Sequence, residues 1–252
     1  ADIGVVEFSD ALRGNTDSTT PTSSWDWISP ILGEKGRFSP NRAERLAEIL
    51  NRLAPPEVTR ANDFVFIGDA AEPEIREFEA IVAAGLSQVS YLQPSSFHLY
   101  SPAAENDFVP DAGPSGGDFF FRTQLRRGFG SNPAIARANF RPVLDRVGTS
   151  PSEKVMHADG TRFVDGDGLL SIDASVDSSI NGNFATLGPI TELSNAYGRS
   201  VLGSPVNLEL TYRSDNGLHT TMFDGSVRFM SQKESWTDPA PWYPSGSVFT
   251  GN

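Results

Sequence analysis

The chain has 252 residues and a mass of 27.2 kDa, room for one large domain or two small ones. Its 32 acidic and 20 basic side chains leave a formal charge of −12, which opposes binding to nucleic acid or to an anionic membrane surface. With no cysteine and three histidines, disulfides, zinc–thiolate sites, iron–sulfur clusters and a thiol nucleophile are excluded, while 17 phenylalanines supply a sizeable core.

The first 24 residues form an irregular arm. Ile3 to Phe8 suits one short strand, and Asn15 to Ser24 is a Ser/Thr/Asp/Pro loop. Because the chain starts at Ala1 and not Met, a signal peptide or anchoring helix ahead of it is expected to have been removed. No apolar run within the chain approaches the roughly 20 residues that cross a bilayer, so any membrane contact is expected only through that missing N-terminal helix.

Residues 25–86 read as the helical part. Ser39-Pro40-Asn41 supplies an N-cap with Glu44 three residues on. Ala43, Leu46, Leu50 and Leu53 then recur on one face, with Arg42, Arg45, Glu48 and Arg52 elsewhere, until Pro55-Pro56 stops the helix. A second helix is predicted from about Pro73 to Ala84, with Ile75, Phe78, Ile81 and Val82 inward and Gly85 as its stop.

Residues 87–252 are β-rich. Strands are predicted at Gln88–Leu92, Phe97–Tyr100, Phe119–Thr123, Lys154–Ala158, Leu169–Asp173, Asn207–Tyr212, Leu218–Phe223 and Ser226–Met230, and Pro133–Phe140 suits a short helix. Between them lie acidic loops at Ala103–Asp118 and Asp159–Gly168. The expected architecture is a single α+β domain over 1–252, with two early amphipathic helices packed on a mainly antiparallel sheet.

Asp224-Gly225 is a strong hairpin signal of the type I′ kind. A two-residue loop there would pair Phe223 with Ser226 and place Leu218, Thr220, Met222, Val227 and Phe229 on the core face. It also puts Asp224 about 17 Å from His219 along an extended strand, so the two are not a catalytic pair and Asp224 is a turn residue.

Other candidate chemistry is thin. Asp159, Asp165 and Asp167 stand in a Gly-rich stretch that suits hard oxygen ligation of calcium, although Leu169 breaks the EF-hand pattern and ordinary acidic turns explain the stretch better. His98 follows Ser95 and Ser96 without a Gly-x-Ser-x-Gly elbow. His157 and Asp159 alternate along one strand and so face the same side. Arg122, Arg126 and Arg127 make a local basic island, and no phosphate-cradling glycine motif occurs. Thirty-two acids leave the paired carboxylates of a glycoside hydrolase open. Trp25, Trp27, Trp236, Trp242 and Tyr243, near the two ends, are expected to anchor the termini or to form subunit contacts, with a sugar-stacking platform as the alternative.

The run Leu218-His219-Thr220-Thr221-Met222-Phe223-Asp224-Gly225-Ser226-Val227-Arg228-Phe229-Met230 resembles the C-terminal signature of prepilin-type, pseudopilin-like proteins abundant in planctomycete-related bacteria. Ser24 to Gly33, followed by Asn41 to Arg45, and Ser152 to Gly160 are similar to the same group. The spacing from His219 to Asp224 is shorter than in that family, its long N-terminal apolar helix has no match in Ala1 to Leu12, and Ala54 stands before Pro55 where the family has cysteine. The resemblance implies an exported, noncatalytic pilin-like domain, extracellular or on the cell surface, whose partners are copies of itself or other envelope proteins. It supplies no cofactor and no catalytic residue. The alternatives are a secreted glycan-binding module or glycoside hydrolase, and a virion or sheath protein.

Overall fold

Asn41 opens the best-defined helix because its side chain accepts the Glu44 amide hydrogen at 3.0 Å, satisfying a donor that the helix itself leaves unpaired. In the computed structural model the described residues are 17–22, 26–54, 80–81, 83–85, 90–97, 134–135, 140, 143–161, 184–186, 188–190, 194–199 and 205–249. The predicted strands at Ile3–Phe8, Phe119–Thr123 and Leu169–Asp173, the end of Phe97–Tyr100 and most of the helix from Pro73 lie outside them. Of that helix Ala80, Ile81 and Ala83 are helical, and Gly85 takes a φ of +95° at its end.

Two helices pack at the start of the described chain, α1 (Ile28–Gly36) and α2 (Arg42–Arg52). The first was not expected, since Pro30 and two glycines argue against a helix. Pro30 falls in the first turn, where its missing N–H costs nothing, and Asp26 caps that turn by accepting from the Ile28 and Ser29 amides at 2.9 and 3.0 Å. Gly33 is required for packing: a Cβ there would lie 1.9 Å from the Ser18 carbonyl oxygen, so the strap from Asp17 to Thr22 lies directly on the helix.

The face assignment of α2 needs correction. Arg42 and Arg45 are buried along with Ala43, Leu46, Ala47, Ile49 and Leu50. Arg42 Nε donates to the Thr22 carbonyl, and Arg45 donates to the Ser39 and Pro40 carbonyls at 2.8 and 2.9 Å. The strap over α1 therefore covers what an isolated amphipathic helix would leave to water, and carbonyl acceptors stand in for solvent.

The sheet has five strands in the order β4-β1-β3-β5-β6: β1 is Tyr91–Pro94, β3 Val155–Asp159, β4 Ala185–Thr186, β5 Gly217–Met222 and β6 Val227–Ser231. Strands β1, β3, β5 and β6 are antiparallel, and β4 joins β1 in parallel. The α+β class holds. Two further strands, β2 (Ala134–Ile135) and β7 (Val248–Phe249), pair with each other, so the predicted helix at Pro133–Phe140 is instead extended at its start.

The predicted strand at Asn207–Tyr212 is also a helix, α4 (Pro205–Thr211), preceded by the one-turn α3 (Leu144–Val147). Asn-Leu-Glu-Leu-Thr-Tyr alternates like a strand, but Leu208 and Tyr212 are one helical turn apart and both pack on the sheet. Helix α5 (Gln232–Thr237) follows β6 directly, capped by the Ser231 hydroxyl oxygen, which accepts from the Glu234 amide at 3.2 Å.

The core on the sheet joins Leu92, Val155, Ala158, Leu218, Met222 and Met230 to Tyr197, Tyr212 and Trp242. Trp242 meets Tyr197 edge to face at 6.0 Å, and its carbonyl accepts from the Ser96 hydroxyl. Among the described residues no helix is long and apolar enough to cross a membrane.

Candidate functional site

The C-terminal hairpin turns at Asp224-Gly225 as expected, but by a different turn. Gly225 N–H donates to the Met222 carbonyl at 2.9 Å and Met222 N–H donates to the Ser226 carbonyl at 2.8 Å, so three residues, Phe223 to Gly225, form the loop. Gly225 has a φ of +85°, whereas Asp224 is not left-handed, which excludes type I′ and fits a turn closed by a glycine bulge. Asp224 braces the loop by accepting from the Ser226 amide and hydroxyl at 2.9 and 2.7 Å, and these bonds hold its carboxyl below the usual value. The two-residue turn with left-handed centres lies just ahead of β5, at Asp215 and Asn216 with φ of 46° and 57°.

That extra loop residue shifts the pairing by one. Thr220 faces Arg228 and His219 faces Phe229, where a two-residue loop would pair Thr220 with Phe229. A one-residue slip transfers a whole strand's side chains to the opposite face. Leu218, Thr220 and Met222 remain in the core as expected, but Val227 and Phe229 are corrected to the outer face, 67% and 50% exposed, and Met230 takes the inner position. Phe229 lies over Gly217, where a Cβ would come 2.2 Å from its ring, and meets the His219 ring edge to face at 5.8 Å.

The outer face also gathers the polar side chains of β1, β3 and β5. His157 faces Thr221 and Asp159 faces Tyr91 across the ladders, so these side chains share a side. His157 and Asp159 do not pair with each other. His157 lies under the Trp27 ring at 4.0 Å, with Gln93 Nε2 2.8 Å from its Nε2. Asp159, 3% exposed, accepts from Arg213 Nη2 through Oδ1 and from the His219 backbone amide through Oδ2, both at 2.9 Å. The His219 ring stands half exposed, its Nδ1 3.5 Å from Oδ2.

This arrangement ties the 211–216 turn and β5 to the end of β3. Of the proposed calcium ligands, Asp159 has both oxygens committed to a guanidinium and an amide, a setting for an anion and not for a cation site; Asp165 and Asp167 lie outside the described residues. Among the described residues no three His, Asp or Glu side chains gather as metal ligands would.

The aromatic residues divide. Trp25 lies outside the described residues, as do His98, Arg122, Arg126 and Arg127. Trp27 is half-buried on His157, and Trp236 is half-buried between Tyr212 and Arg199, whose guanidinium sits 5.1 Å from its ring centre. Trp242 and Tyr243 are buried, so they anchor the C-terminal segment from inside and are not surface contacts. Among the described residues the exposed large apolar side chains lie elsewhere, at Ile31, Tyr91, Leu144, Val227, Phe229 and Val248. Only the hairpin register selects Val227 and Phe229, which is why pattern alone missed them.

No family model, no curated protein and no solved structure matches the chain.

Proposed function

We propose that this domain is a structural subunit of an extracellular or cell-surface assembly, pilin- or pseudopilin-like, which works by contact with copies of itself or with other envelope proteins. The observation that carries this reading is the outer edge of the hairpin. Strand β6 ends the sheet, with β5 on one side and no strand among the described residues on the other. Met222 and Ser226 form a hydrogen-bonded pair, so by alternation Val227 and Phe229 turn their backbone N–H and C=O groups away from β5. The same two residues carry the exposed apolar side chains. An edge offering backbone groups and apolar side chains together is a template for another chain, a feature that monomeric proteins blunt with charge or proline. The acidic remainder of the surface keeps copies soluble and confines association to such an edge.

Sedimentation velocity over a range of protein concentrations tests the reading. The native chain is expected to associate, and Val227→Lys with Phe229→Glu to raise the dissociation constant at least about tenfold, equivalent to about 1.4 kcal/mol. A particle that stays monomeric at every concentration, or association that ignores both substitutions, overturns it.

A further inference from the structure

A cavity of about 260 Å³ opens between the residue ahead of β3 and the C-terminal segment, lined by Lys154, Pro239, Ala240, Tyr243, Pro244 and the turn at 245–247. None of its lining residues belongs to the β6 edge, and it is independent of the assembly reading. Among the described residues Lys154 is the only lysine or arginine in its lining, and the side chain is nearly buried, with 8% of the residue exposed. Its Nζ donates to the Ala240 carbonyl at 2.5 Å, which uses one of three N–H donors.

The walls are held in place. Ser245 N–H donates to the Val147 carbonyl at 3.0 Å, and Ser247 donates to the Pro244 carbonyl through its amide and its hydroxyl at 3.1 and 2.7 Å. Gly148 lets two groups converge: a Cβ there would lie 2.6 Å from Ser245 Oγ and 3.2 Å from Lys154 Cε. Among the lining side chains Lys154 has two further N–H donors and Ser245 a hydroxyl, while Pro239, Ala240, Tyr243 and Pro244 supply apolar surface.

Charge completes the argument. Burial is the largest influence on the Lys154 amine and holds its pKa below the ordinary value, with Glu153 and Asp238 acting in the opposite direction. Both carboxylates are exposed to solvent, where their field is screened, and neither forms an ion pair with the amine. A buried ammonium whose partner is a neutral carbonyl gains from direct contact with an anion. We propose that this cavity binds a small organic carboxylate with an apolar body, its carboxylate on Lys154 Nζ and Ser245 Oγ and its body against Pro239 and Tyr243. The volume suits one ring or a short acyl chain.

Benzoate is the probe, with benzamide as its neutral isostere, added to the full chain. Benzoate is expected to raise the melting temperature saturably and to move the Lys154 Cε resonance with the same midpoint, whereas benzamide does neither. Lys154→Met is expected to abolish the thermal response. Should that variant not fold, the Cε resonance of the native chain decides alone. Equal responses to benzoate and benzamide, no saturable movement of the Cε resonance up to about 10 mM, or full retention of the thermal response in Lys154→Met would each overturn the proposal.

Discussion

Asp159→Ala removes the carboxylate that holds three parts of the fold together. The substitution leaves the Arg213 guanidinium, 18% exposed, without its anion, and the part-buried His219 amide without its acceptor. An orphaned N–H costs about 1–3 kcal/mol and removal of one partner of a buried ion pair about 3–5 kcal/mol, the lower end applying where the partner keeps some access to water. Because the two losses share one side chain they do not add in full, and the expected destabilisation is about 3 kcal/mol. For a chain of this size that lowers the melting temperature by about 6–12 °C. Asp159→Asn keeps one acceptor oxygen and the shape, and is expected to lose about half as much. Urea unfolding of Asp159→Ala, Arg213→Met and the double variant forms a cycle whose coupling should exceed about 1 kcal/mol. A cost below about 0.5 kcal/mol for Asp159→Ala, or strict additivity, would refute the idea that this carboxylate joins β3 to β5.

A Cβ added at Gly225 would meet no heavy atom within 4 Å, so the φ of +85° alone sets the cost of substitution. Gly225→Ala is expected to lose about 1 kcal/mol and Gly225→Asn measurably less, by equilibrium unfolding; equal costs would argue against the left-handed turn. Tyr197 and Tyr212 are buried with hydroxyl pKa values raised, chiefly by that burial. Above the ordinary tyrosine value of 10.0 the unfolded chain releases these protons while the folded chain keeps them, so stability should fall with rising pH by up to about 1.4 kcal/mol per unit for each tyrosine. Lys154, whose amine is depressed, works the other way: stability rises with pH until the unfolded amine has also titrated near 10.5, and the gain then stops. Tyr212→Phe should reduce the alkaline slope of the urea midpoint, apart from a constant offset for its lost contact with Ser235; an unchanged slope would exclude Tyr212 as its source.

Local chemistry written in consecutive residues was legible in the sequence. The Asn41 cap of α2, the strand before Asp159 and the reversal at Asp224-Gly225 each depend on neighbours a few positions apart, so side-chain type and spacing determine them. The Ser231–Glu234 cap and the Asp215-Asn216 turn were equally readable signals that strand patterning overlooked. Contacts between distant segments alone decided the rest. Whether Phe229 points inward or outward follows from one added loop residue, because strand side chains alternate and any slip inverts them all. Arg42 is buried with its guanidinium on the Thr22 carbonyl of the 17–22 strap, and Asn207–Tyr212 coils because Leu208 and Tyr212 find the core from one helical face. Asp159 meets Arg213 and His219 across more than fifty residues of chain. Such pairings are set by packing and by satisfaction of buried polar groups, which act through space and leave no periodic trace along the sequence.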